Sequence, residues 1–576
     1  MINSTIAEML DEIADMLDLE GVERRFEVLA YRKAAQTISA LQEDIGELYK
    51  KRGLEGLMEL PGVGKSIAGS IEEYINTGHM GKYDDFKKRY PVDFKELTKI
   101  QGMGARKAYK LYKALKIRNM SDLRKALEKH KISKLEGFGE QSEEQIRKGI
   151  DFLERSGGRM LLGNALPEAE AIRDKLVASG LADKVLICGS TRRMRETVGD
   201  LDILIISGKG VKVMDFITKM PEVSSTIARG PTKTSVVLKI GLNCDFRLVE
   251  RKSFGAAVQY FTGNKDHNVK VREIAIKKKY KLNEYGLFDR KGKNVASGED
   301  EEDIYKKLGM QWMEPPMREN RGEVELSLQH KIPKLVQLED ILGDMHVHSR
   351  HSGDSTNSFE EIVSEAKKLG RRYAGITDHS KSEYMNRGLD EKQYMKVFAE
   401  IDKANKKLSD FTLLKSGEVD ILKDGSLDIN RKTLDEMDYV LAAVHSGLKD
   451  PKEKMTKRIV DALNSGQIDI LGHPTGRLIN EREPLLADMD MVFEAAKDNR
   501  VAMEINAQPS RLDLNDENVI KAKKYGLKFA IDTDSHRIGH MQFMRYGVGV
   551  AKRAWLKKED IVNATDVGSF LKFFKK

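Results

Sequence analysis

The chain has 576 residues, too many for one ordinary hydrophobic core, so its length predicts three or four domains. Its two cysteines, Cys188 and Cys244, argue against a disulfide framework and favour a reducing cytoplasm. The acidic, amphipathic N-terminus is unlike a secretory signal, and no apolar run is long enough for a transmembrane helix. The formal net charge is +8, and the stretch 81–120 alone carries 12 basic and 4 acidic residues. That density favours a polyanionic partner over the alternative of a solvated helical face.

A glycine pattern occurs three times in the first 150 residues, as LPGVG at 60–64, IQGMG at 100–104 and LEGFG at 135–139. Helical periodicity flanks each occurrence, so each is predicted to be a turn between two short helices. The free N–H groups at the start of a following helix bind phosphate oxygens irrespective of base sequence. The set resembles the helix-hairpin-helix motif of DNA-binding proteins. The resemblance implies Na⁺ or K⁺ at these turns and DNA contacts from Gly62, Gly64, Lys65, Gly102, Gly104 and Arg106.

Near residue 160 the pattern changes to short apolar runs, predicted as strands at 185–188, 201–206, 235–240 and 244–249. Asp200 and Asp202 are two residues apart at the start of one strand and therefore point to the same face. Asp245 begins the second strand of a hairpin, where we expect an antiparallel neighbour to bring it beside this pair. Three carboxylates can hold two Mg²⁺ or Mn²⁺ ions for nucleotidyl transfer, whereas a solvated edge strand without metal is the alternative.

The residues before the aspartates fit a phosphate-binding loop. In GSTRRMRETVGDLDI (189–203), a Gly-Ser pair and three arginines offer backbone, hydroxyl and charge-assisted donors. Together with CDFRLV at 244–249 and YFTG at 260–263, this stretch closely resembles the family-X DNA polymerases over residues 1–312.

The family-X resemblance assigns roles to individual residues. Asp200, Asp202 and Asp245 would be the catalytic metal ligands. It implies that the incoming nucleotide is bound by Arg159, Gly189, Ser190, Arg193, Gly199, Tyr260, Phe261, Gly263 and Asn268, and that Arg247 and Arg272 contact DNA. One position departs from the family. Ser70 stands where animal members have the lysine that forms an imine with 5′-deoxyribose phosphate, and a hydroxyl cannot form that imine.

Strands and helices alternate again beyond a linker predicted at 313–340, which indicates a parallel, barrel-like α/β domain. Histidines and acidic residues recur where its predicted strands end. Because the strand C-termini of such a barrel meet on one face, a polynuclear metal cluster is favoured over isolated structural histidines. The lack of cysteine ligands favours zinc, manganese or iron ions in a nitrogen and oxygen site.

The order of these motifs, HxH, TDH, GHP and DxH over about 340–576, resembles the PHP (polymerase and histidinol phosphatase) domain. This resemblance implies up to three metal ions bound by His346, His348, Asp354, His379, Glu418, His445, His473, Asp534 and His536. Asp354 stands one residue later than in the commoner form of the first motif. Asp378 is expected to support a ligand rather than to bind metal.

The joined architecture resembles bacterial and archaeal family-X polymerases. It implies a multidomain fold with N-terminal all-α helix-hairpin-helix domains, a mixed α/β nucleotidyltransferase palm with a thumb, and a C-terminal distorted (β/α) barrel. The predicted boundaries are 1–80 and 81–155 for two helical domains, the second of fingers type, 156–252 for the palm, 253–312 for the nucleotide-selection thumb, 313–340 for the linker and 341–576 for the PHP domain.

The expected function is a DNA-directed DNA polymerase that fills short gaps in DNA repair, coupled to a metal-dependent 3′–5′ exonuclease. The second site could instead cut abasic sites or remove 3′-phosphates. Expected partners are gapped or primer-template DNA and deoxynucleoside triphosphates, with no membrane, for a monomer in the cytoplasm. Three alternatives remain open at this stage. They are a template-independent nucleotidyltransferase with a small-molecule phosphatase, a polymerase with a structural PHP domain, and a non-catalytic DNA-binding scaffold.

Overall fold

A computed structural model describes residues 2–39, 41, 44–60, 62–98, 100, 103–156, 158–296, 298, 300–383 and 387–574. Gly102, one of the predicted DNA contacts, lies outside the described residues. No described helix combines the length and apolar character that crossing a bilayer requires.

The N-terminal part is entirely helical, and we call residues 2–156 the helical region. Its apolar helix faces pack into one core that contains Ile13, Ile67 and Leu111. Its helices are α1 (Ile2–Leu19), α2 (Arg25–Ser39), α3 (Ile45–Met58), α4 (Lys65–Thr77), α5 (Gly81–Arg89), α6 (Phe94–Leu97), α7 (Ala105–Leu115), α8 (Met120–Glu128) and α9 (Glu140–Ser156).

The three glycine turns precede α4, α7 and α9, which confirms that each turn lies between two helices. Gly64 and Gly104 are the N-caps of α4 and α7 and offer no side-chain cap, so the first N–H groups of these helices stay open. Gly62 adopts φ +85°, and a Cβ there would lie 2.8 Å from Cβ of Lys33. This turn therefore needs glycine both for its backbone conformation and for its close contact with α2.

The next part, the central domain (158–312), begins with a mixed sheet. Its first elements are β1 (Met160–Leu161), α10 (Leu162–Ala178), β2 (Lys184–Ile187), α11 (Gly189–Arg192), β3 (Thr197–Val198), β4 (Asp200–Ile206), α12 (Gly210–Ile217), β5 (Val223–Arg229), β6 (Lys233–Leu238) and β7 (Asn243–Leu248). The five-stranded sheet has the order β2-β4-β7-β6-β5.

The sheet corrects one expectation. Asp245 does lie beside Asp202, but β7 runs parallel to β4 rather than antiparallel. The antiparallel hairpin partner of β7 is β6, which lies on the side of β7 away from β4. The chain returns to β4 through α12, β5 and β6, and β5 was missed because VSSTIAR has mostly small or polar residues.

The rest of the central domain is a smaller α/β unit with α13 (Phe254–Thr262), α14 (Lys265–Lys277), β8 (Lys281–Asn283), β9 (Gly286–Phe288), β10 (Asn294–Ala296) and α15 (Glu302–Lys307). The segment 313–340, expected to be a linker, contains α16 (Glu323–Leu328) and packs closely on this unit. Met313 and Val324 enter its core, and the Arg318 guanidinium is fully buried 2.7 Å from Glu301.

The buried ion pair of Glu301 makes stability in this region depend on pH. Burial alone would raise the pKa of Glu301, but Arg318 and Arg192 hold it at about 2, below its usual 4.5. The stabilisation is therefore complete above about pH 4.5 and is lost as the pH falls toward 2. We expect Glu301→Gln to lower the free energy of unfolding by about 3 kcal/mol at pH 7. Urea unfolding of both proteins at pH 7 and pH 3 should show this difference shrinking at the lower pH.

Residues 343–574 form the C-terminal barrel. Its elements are β11 (Gly343–Val347), α17 (Phe359–Lys368), β12 (Tyr373–Ile376), α18 (Glu391–Asn405), β13 (Thr412–Lys415), β14 (Glu418–Asp420), α19 (Arg431–Leu434), β15 (Leu441–Ala443), α20 (Lys452–Asn464), β16 (Ile470–Leu471), α21 (Met489–Asp498), β17 (Ala502–Asn506), α22 (Asp516–Lys524), β18 (Phe529–Asp532), α23 (Met544–Arg553) and α24 (Val567–Phe574). Short 3₁₀ helices connect several elements throughout the chain.

All strand pairs described in the barrel are parallel, in two sheets of orders β11-β12-β13 and β14-β15-β16-β17-β18. Single bridges join the two sheets, one between His379 and Glu418 and one between Val347 and Ser535. These bridges involve or adjoin residues predicted to bind metal. This agrees with the expected distorted (β/α) barrel.

The central domain and the barrel share one hydrophobic core. Ile203 of β4 and Ile505 of β17 belong to the same cluster of buried side chains. At its edge, Nη1 of Arg545 on α23 lies 2.9 Å from Oε2 of Glu170 on α10. The two parts thus form one packed unit.

Two candidate catalytic sites

Three carboxylates meet at one end of the central sheet. Asp202 on β4 stands directly opposite Asp245 on β7, and Asp200 precedes Asp202 by two residues on the same strand face. Asp200 is exposed at the start of β4, whereas Asp202 is half-buried. The predicted triad is therefore assembled by the register of two neighbouring strands.

The electrostatics of this triad favour a bound cation. Burial, then the charges of Asp200 and Asp245, raise the pKa of Asp202 to about 7. Protein cations partly neutralise Asp245, since Nζ of Lys233 lies 3.0 Å and Nη2 of Arg247 3.5 Å from its Oδ2. Three clustered carboxylates, two of which disfavour the ionisation of Asp202, suit divalent metal ions, which prefer oxygen ligands.

The turn above the triad has no room for a side chain at its first residue. Gly189 adopts φ +63°, and a Cβ there would lie 2.6 Å from Oδ2 of Asp202. The next residue, Ser190, has a buried Oγ with no hydrogen-bond partner among the described residues. A buried hydroxyl without a partner costs free energy unless a ligand accepts its hydrogen bond. A phosphate oxygen beside the triad would fit this donor.

Replacing Ser190 with alanine tests this donor. We expect the KM for the incoming nucleotide to rise about tenfold, the usual loss for one hydrogen bond to a charged group. Folding should be unchanged, because the hydroxyl has no protein partner to lose. Single-nucleotide gap filling at varied nucleotide concentration measures the KM. Ser179→Ala, which also removes a serine hydroxyl in the central domain, is the control. An unchanged KM in Ser190→Ala would contradict the assignment.

Two predicted phosphate-binding arginines lie at this end of the sheet, each with two of its nitrogens hydrogen-bonded to the protein. Arg193 donates from Nε to Glu319 and from Nη1 to the carbonyl of Thr262, at 2.9 and 2.8 Å. Arg159 donates to the Thr197 hydroxyl and carbonyl, and a Cβ on Gly199 would lie 3.1 Å from its Nη1. Both guanidiniums are thus held in fixed positions by this region of the protein.

The YFTG segment at 260–263 ends α13 beside the triad. The rings of Tyr260 and Phe261 make an edge contact with 5.0 Å between centroids, and the Arg247 guanidinium lies 4.7 Å from the Phe261 ring. A Cβ on Gly263 would meet Oδ1 of Asn268 at 2.4 Å. The two aromatic rings, the Arg247 guanidinium and the Gly263 turn are therefore packed together at the end of α13.

Asn268 was predicted to read the nucleotide base, but its side chain bonds inside the protein. Its Nδ2 donates to the carbonyls of Tyr260 and Gly263, at 2.7 and 3.1 Å, and its Oδ1 accepts from Gln259 at 2.9 Å. In this conformation Asn268 holds the YFTG turn. Arg272, four residues further along α14, is half-buried. The base-reading and template-contact roles stay predictions.

Two charged residues among the predicted DNA contacts of the helical region lie at its surface. Lys65 is exposed at the first position of α4. Arg106 is exposed and forms two 3.0 Å hydrogen bonds with the Asp18 carboxylate. Ser70 donates to the Ser66 carbonyl at 3.2 Å within α4.

The second cluster lies where the barrel strands converge. Glu418 occupies its centre, with Oε1 2.7 Å from Nε2 of His473 and 3.0 Å from Nε2 of His445, and Oε2 2.9 Å from Nδ1 of His379. The nine predicted ligands all take part in this cluster: His346, His348, Asp354, His379, Glu418, His445, His473, Asp534 and His536. Two placements differ from the sequence expectation, because His346 lies within β11 and Glu418 begins β14.

Among the described residues, three groups have ligand atoms within 4.8 Å of one another: His348, Asp354, His379 and His536; His346, His348 and Asp534; and His379, Glu418 and His445. Asp354, the departure from the common motif, lies in the first group, with Oδ2 3.2 Å from Nε2 of His379 and 3.1 Å from Nε2 of His536.

The donor atoms are suited to metal ions. Nε2 of His346, Nε2 of His348 and Oε2 of Glu418 are buried and have no hydrogen-bond partner in the described part of the chain. Burial, then His536 and His379, lowers the pKa of His348 to about 3, so its imidazole is neutral and keeps a lone pair. Buried nitrogen and oxygen atoms that lack partners and lie at these distances are suited to bind more than one metal ion.

Supporting residues orient the histidines, and sequence reasoning missed the most buried of them. Nδ1 of His346 lies 2.7 Å from Oε1 of Glu504, and Oδ1 of Asp420 lies 3.4 Å from Nδ1 of His445. A glutamate inside the buried strand AMEIN was the available signal for Glu504. Asp378 instead accepts two 2.7 Å hydrogen bonds from the main-chain N–H and the hydroxyl of Ser349, which is not a predicted ligand, so its support of a ligand stays a prediction.

Two of the predicted ligands are held in unusual backbone conformations. His473 has φ +25° and Asp534 has φ +50°, in the left-handed region that non-glycine residues rarely adopt. The surrounding structure fixes these conformations, and such strain clusters at functional sites.

Comparisons with known proteins match these sites part by part. A helix-hairpin-helix domain family matches residues 1–80, a SAM-like helix-hairpin-helix tandem matches 94–151, a DNA polymerase beta thumb family matches 257–319 and a PHP domain family matches 344–508.

Relatives extend the match. "Probable phosphatase CA_C0509" of Clostridium acetobutylicum is 32% identical over 34% of this chain and 78% of its own length. A solved Leishmania infantum polymerase beta, in a ternary complex, covers 39% of this chain and 97% of its own at 26% identity and a TM-score of 0.27. The "DNA polymerase/3'-5' exonuclease PolX" of Bacillus subtilis is 36% identical over 98% of this chain and 99% of its own length. The chain therefore belongs to the family-X DNA polymerases that carry helix-hairpin-helix, thumb and PHP domains.

Proposed function

We propose that this protein is a DNA-directed DNA polymerase that fills short gaps, and that its barrel degrades DNA from the 3′ end. The observation that carries the first activity is the opposition of Asp202 and Asp245 beneath a buried, unpartnered Ser190 hydroxyl. The printed activities of the Bacillus subtilis relative, polymerase and 3′-5′ exonuclease, support both parts.

In the polymerase site, Asp200, Asp202 and Asp245 would hold two Mg²⁺ or Mn²⁺ ions. Bound there, the ions would stabilise charge on the attacking and leaving oxygens of an in-line displacement. Ser190 would donate its hydroxyl to a phosphate oxygen, and Arg193 would supply a charge-assisted donor. Tyr260 and Phe261 would pack against the nucleotide sugar.

Asp245 can exchange its present partners, Lys233 and Arg247, for a metal ion. Both cations now neutralise Asp245. When Asp245 turns to a metal ion, their positive charge becomes available to the DNA backbone beside the site. We therefore propose Arg247 as a DNA contact of the sheet, in addition to the open helix starts of the helical region.

In the barrel, we propose that the nine-residue cluster binds up to three zinc, manganese or iron ions. Such ions would activate water and polarise the phosphoester. Glu504, Asp420 and Asp378 would keep the ligands in place. Arg511, whose Nε lies 3.5 Å from Oδ2 of Asp534, would place positive charge beside the phosphate that is cut. The phosphatase relatives keep abasic-site cleavage and 3′-phosphate removal open as further reactions of the same cluster.

A labelled primer on a one-nucleotide gapped duplex tests both activities at once. With nucleotides and Mg²⁺ or Mn²⁺ we expect extension by one residue, and without nucleotides we expect 3′ shortening. A parallel duplex that ends in a 3′-phosphate or carries an abasic site separates the further reactions. A protein that binds gapped DNA but neither extends nor shortens it would overturn the proposal in favour of a scaffold. Binding that falls steeply with salt identifies a phosphate-backbone grip.

A further inference from the structure

A buried ion network joins the barrel to the nucleotide site of the central domain. Nε of Arg193 donates to Oε1 of Glu319 at 2.9 Å. Nη1 of Arg553 donates to the same oxygen at 2.8 Å and to the main-chain carbonyl of Arg193 at 3.0 Å. Glu319 belongs to the connecting segment 313–340, whereas Arg553 is the last residue of α23 in the barrel. A barrel side chain therefore reaches Arg193 twice, once directly and once through a carboxylate.

Arg553 is itself firmly anchored. Its Nε and Nη2 donate to Oδ2 of Asp516 at 3.0 and 2.8 Å. Asp516 is the first residue of α22. Side-chain exposure is 11% for Arg193, 7% for Glu319 and 4% for Arg553. Despite burial, Arg193 and Arg553 hold the pKa of Glu319 at about 2, so the carboxylate stays charged throughout the neutral range. A charged carboxylate between two buried guanidiniums has little freedom to move.

The network leaves one end of Arg193 available. Nε bonds to Glu319 and Nη1 bonds to the carbonyl of Thr262, in the YFTG turn. Among the described residues, Nη2 has no protein acceptor and is not sealed in the interior. A guanidinium fixed through two nitrogens presents the third in a set direction, because its donors form a rigid planar fork.

We propose that Arg553 of the barrel is a positioning residue for the polymerase reaction, which orients Arg193 through Glu319 toward the triphosphate of the incoming nucleotide. The inference rests on the proposed function, in which Arg193 binds that triphosphate. It adds that the barrel builds part of the nucleotide site, independently of its own metal cluster. Preorganised donors bind more tightly because less side-chain freedom is lost on binding.

Arg545 provides a comparison within the same interface, with a side chain that is 33% exposed against 4% for Arg553. It lies on the same helix as Arg553 and pairs across the same interface with Glu170, at 2.9 Å. It makes no contact with the network around Arg193 among its recorded hydrogen bonds. A general role in joining the barrel to the central domain would therefore be shared by Arg545 and Arg553, whereas positioning of Arg193 would be specific to Arg553.

The test measures nucleotide affinity in full-length protein. Wild type, Arg553→Met, Arg545→Met and Arg193→Ala are bound to a gapped duplex with a dideoxy-terminated primer, and the Kd of the complementary nucleotide is measured. Steady-state KM and kcat on an extendable primer, and 3′ shortening without nucleotide, are measured beside it. We expect Arg553→Met to raise Kd and KM about tenfold, with kcat and 3′ shortening near wild type. Arg545→Met should leave all four near wild type.

A double variant connects the two residues. In the Arg193→Ala background, Arg553→Met should cause no further rise in Kd, because it acts through Arg193. Arg553→Lys keeps the charge but loses the planar fork, so we expect an intermediate Kd. If Arg553→Met loses cooperative unfolding, Arg553→Lys and Glu319→Gln decide the question by the same measurement.

The possible failures are distinguishable. If Arg193→Ala leaves the nucleotide Kd unchanged, the triphosphate role of Arg193 is wrong and the inference falls with it. If Arg193→Ala raises Kd while Arg553→Met does not, the proposed function stands and the inference alone is overturned. If Arg553→Met and Arg545→Met raise the nucleotide Kd equally, the role of Arg553 is structural and the inference is overturned. The same holds if Arg553→Met slows 3′ shortening while it raises Kd.

Discussion

Replacing Asp202 with asparagine is expected to abolish gap filling, with a loss of more than about a hundredfold in kcat. Removing a residue that only supports a metal ligand typically lowers metal affinity or activity by about 10- to 100-fold. Removing a ligand itself should therefore lower activity by more than about 100-fold. Asp202 lies between Asp200 on its own strand and Asp245 directly opposite. Asparagine keeps the size of the side chain but removes the charge that the metal ions need. Single-turnover extension in Mg²⁺ measures the effect.

The same preparation supplies the controls for Asp202→Asn. Its 3′ shortening should stay near wild type, because the barrel cluster contains different ligands. Asp174→Asn changes an exposed aspartate of α10 and should extend normally. Extension by Asp202→Asn at a wild-type rate would show that the carboxylate triad is not the site of nucleotidyl transfer.

Replacing Glu418 with glutamine is expected to remove 3′ shortening and to lower the metal content of the purified protein. Three imidazoles lie within 3.0 Å of its two carboxylate oxygens. His445, His346 and His379 hold the pKa of Glu418 well below its usual range despite complete burial, so its charge is the centre of the cluster. We expect a loss of more than about a hundredfold, by the same comparison with supporting residues.

Metal analysis separates the causes of such a loss. Mass spectrometry of bound metal should show fewer ions per chain in Glu418→Gln than in wild type, while gap filling continues. Glu494→Gln, an exposed change on α21, should keep both metal and activity. Retained metal together with lost shortening would make Glu418 a reacting group rather than a ligand. Normal shortening would remove the cluster as the nuclease site.

The parts of the sites that lie in contiguous motifs could be predicted from the sequence. The contacts between segments that are distant in the chain could not. The stretch 189–203 contains the glycine turn, the serine and two of the three carboxylates, and most of the predicted barrel ligands occur as short motifs just after strands. The parallel direction of β7 depends on the route of the intervening chain, which strand patterns do not report. Glu504 and Glu319 act through partners 158 and 126 residues away, so no local pattern identifies them.

Asn268 illustrates a different limit. Its position in the chain matched a base-reading residue, but its amide bonds to Tyr260, Gly263 and Gln259. Side-chain partners depend on the conformation of the turn as well as on residue identity. A residue type at a given spacing therefore predicts which site the residue lies in better than it predicts which atoms its side chain contacts.

The common core of the central domain and the barrel constrains how the two activities can be separated. A truncation between residues 312 and 343 would leave apolar side chains of β4 or β17 facing water, and we expect each fragment to aggregate. Loss of one activity during evolution should therefore proceed by substitution of ligands within an intact chain. A barrel that has lost its metal ions would still be retained, because its apolar side chains complete the hydrophobic core of the polymerase domain.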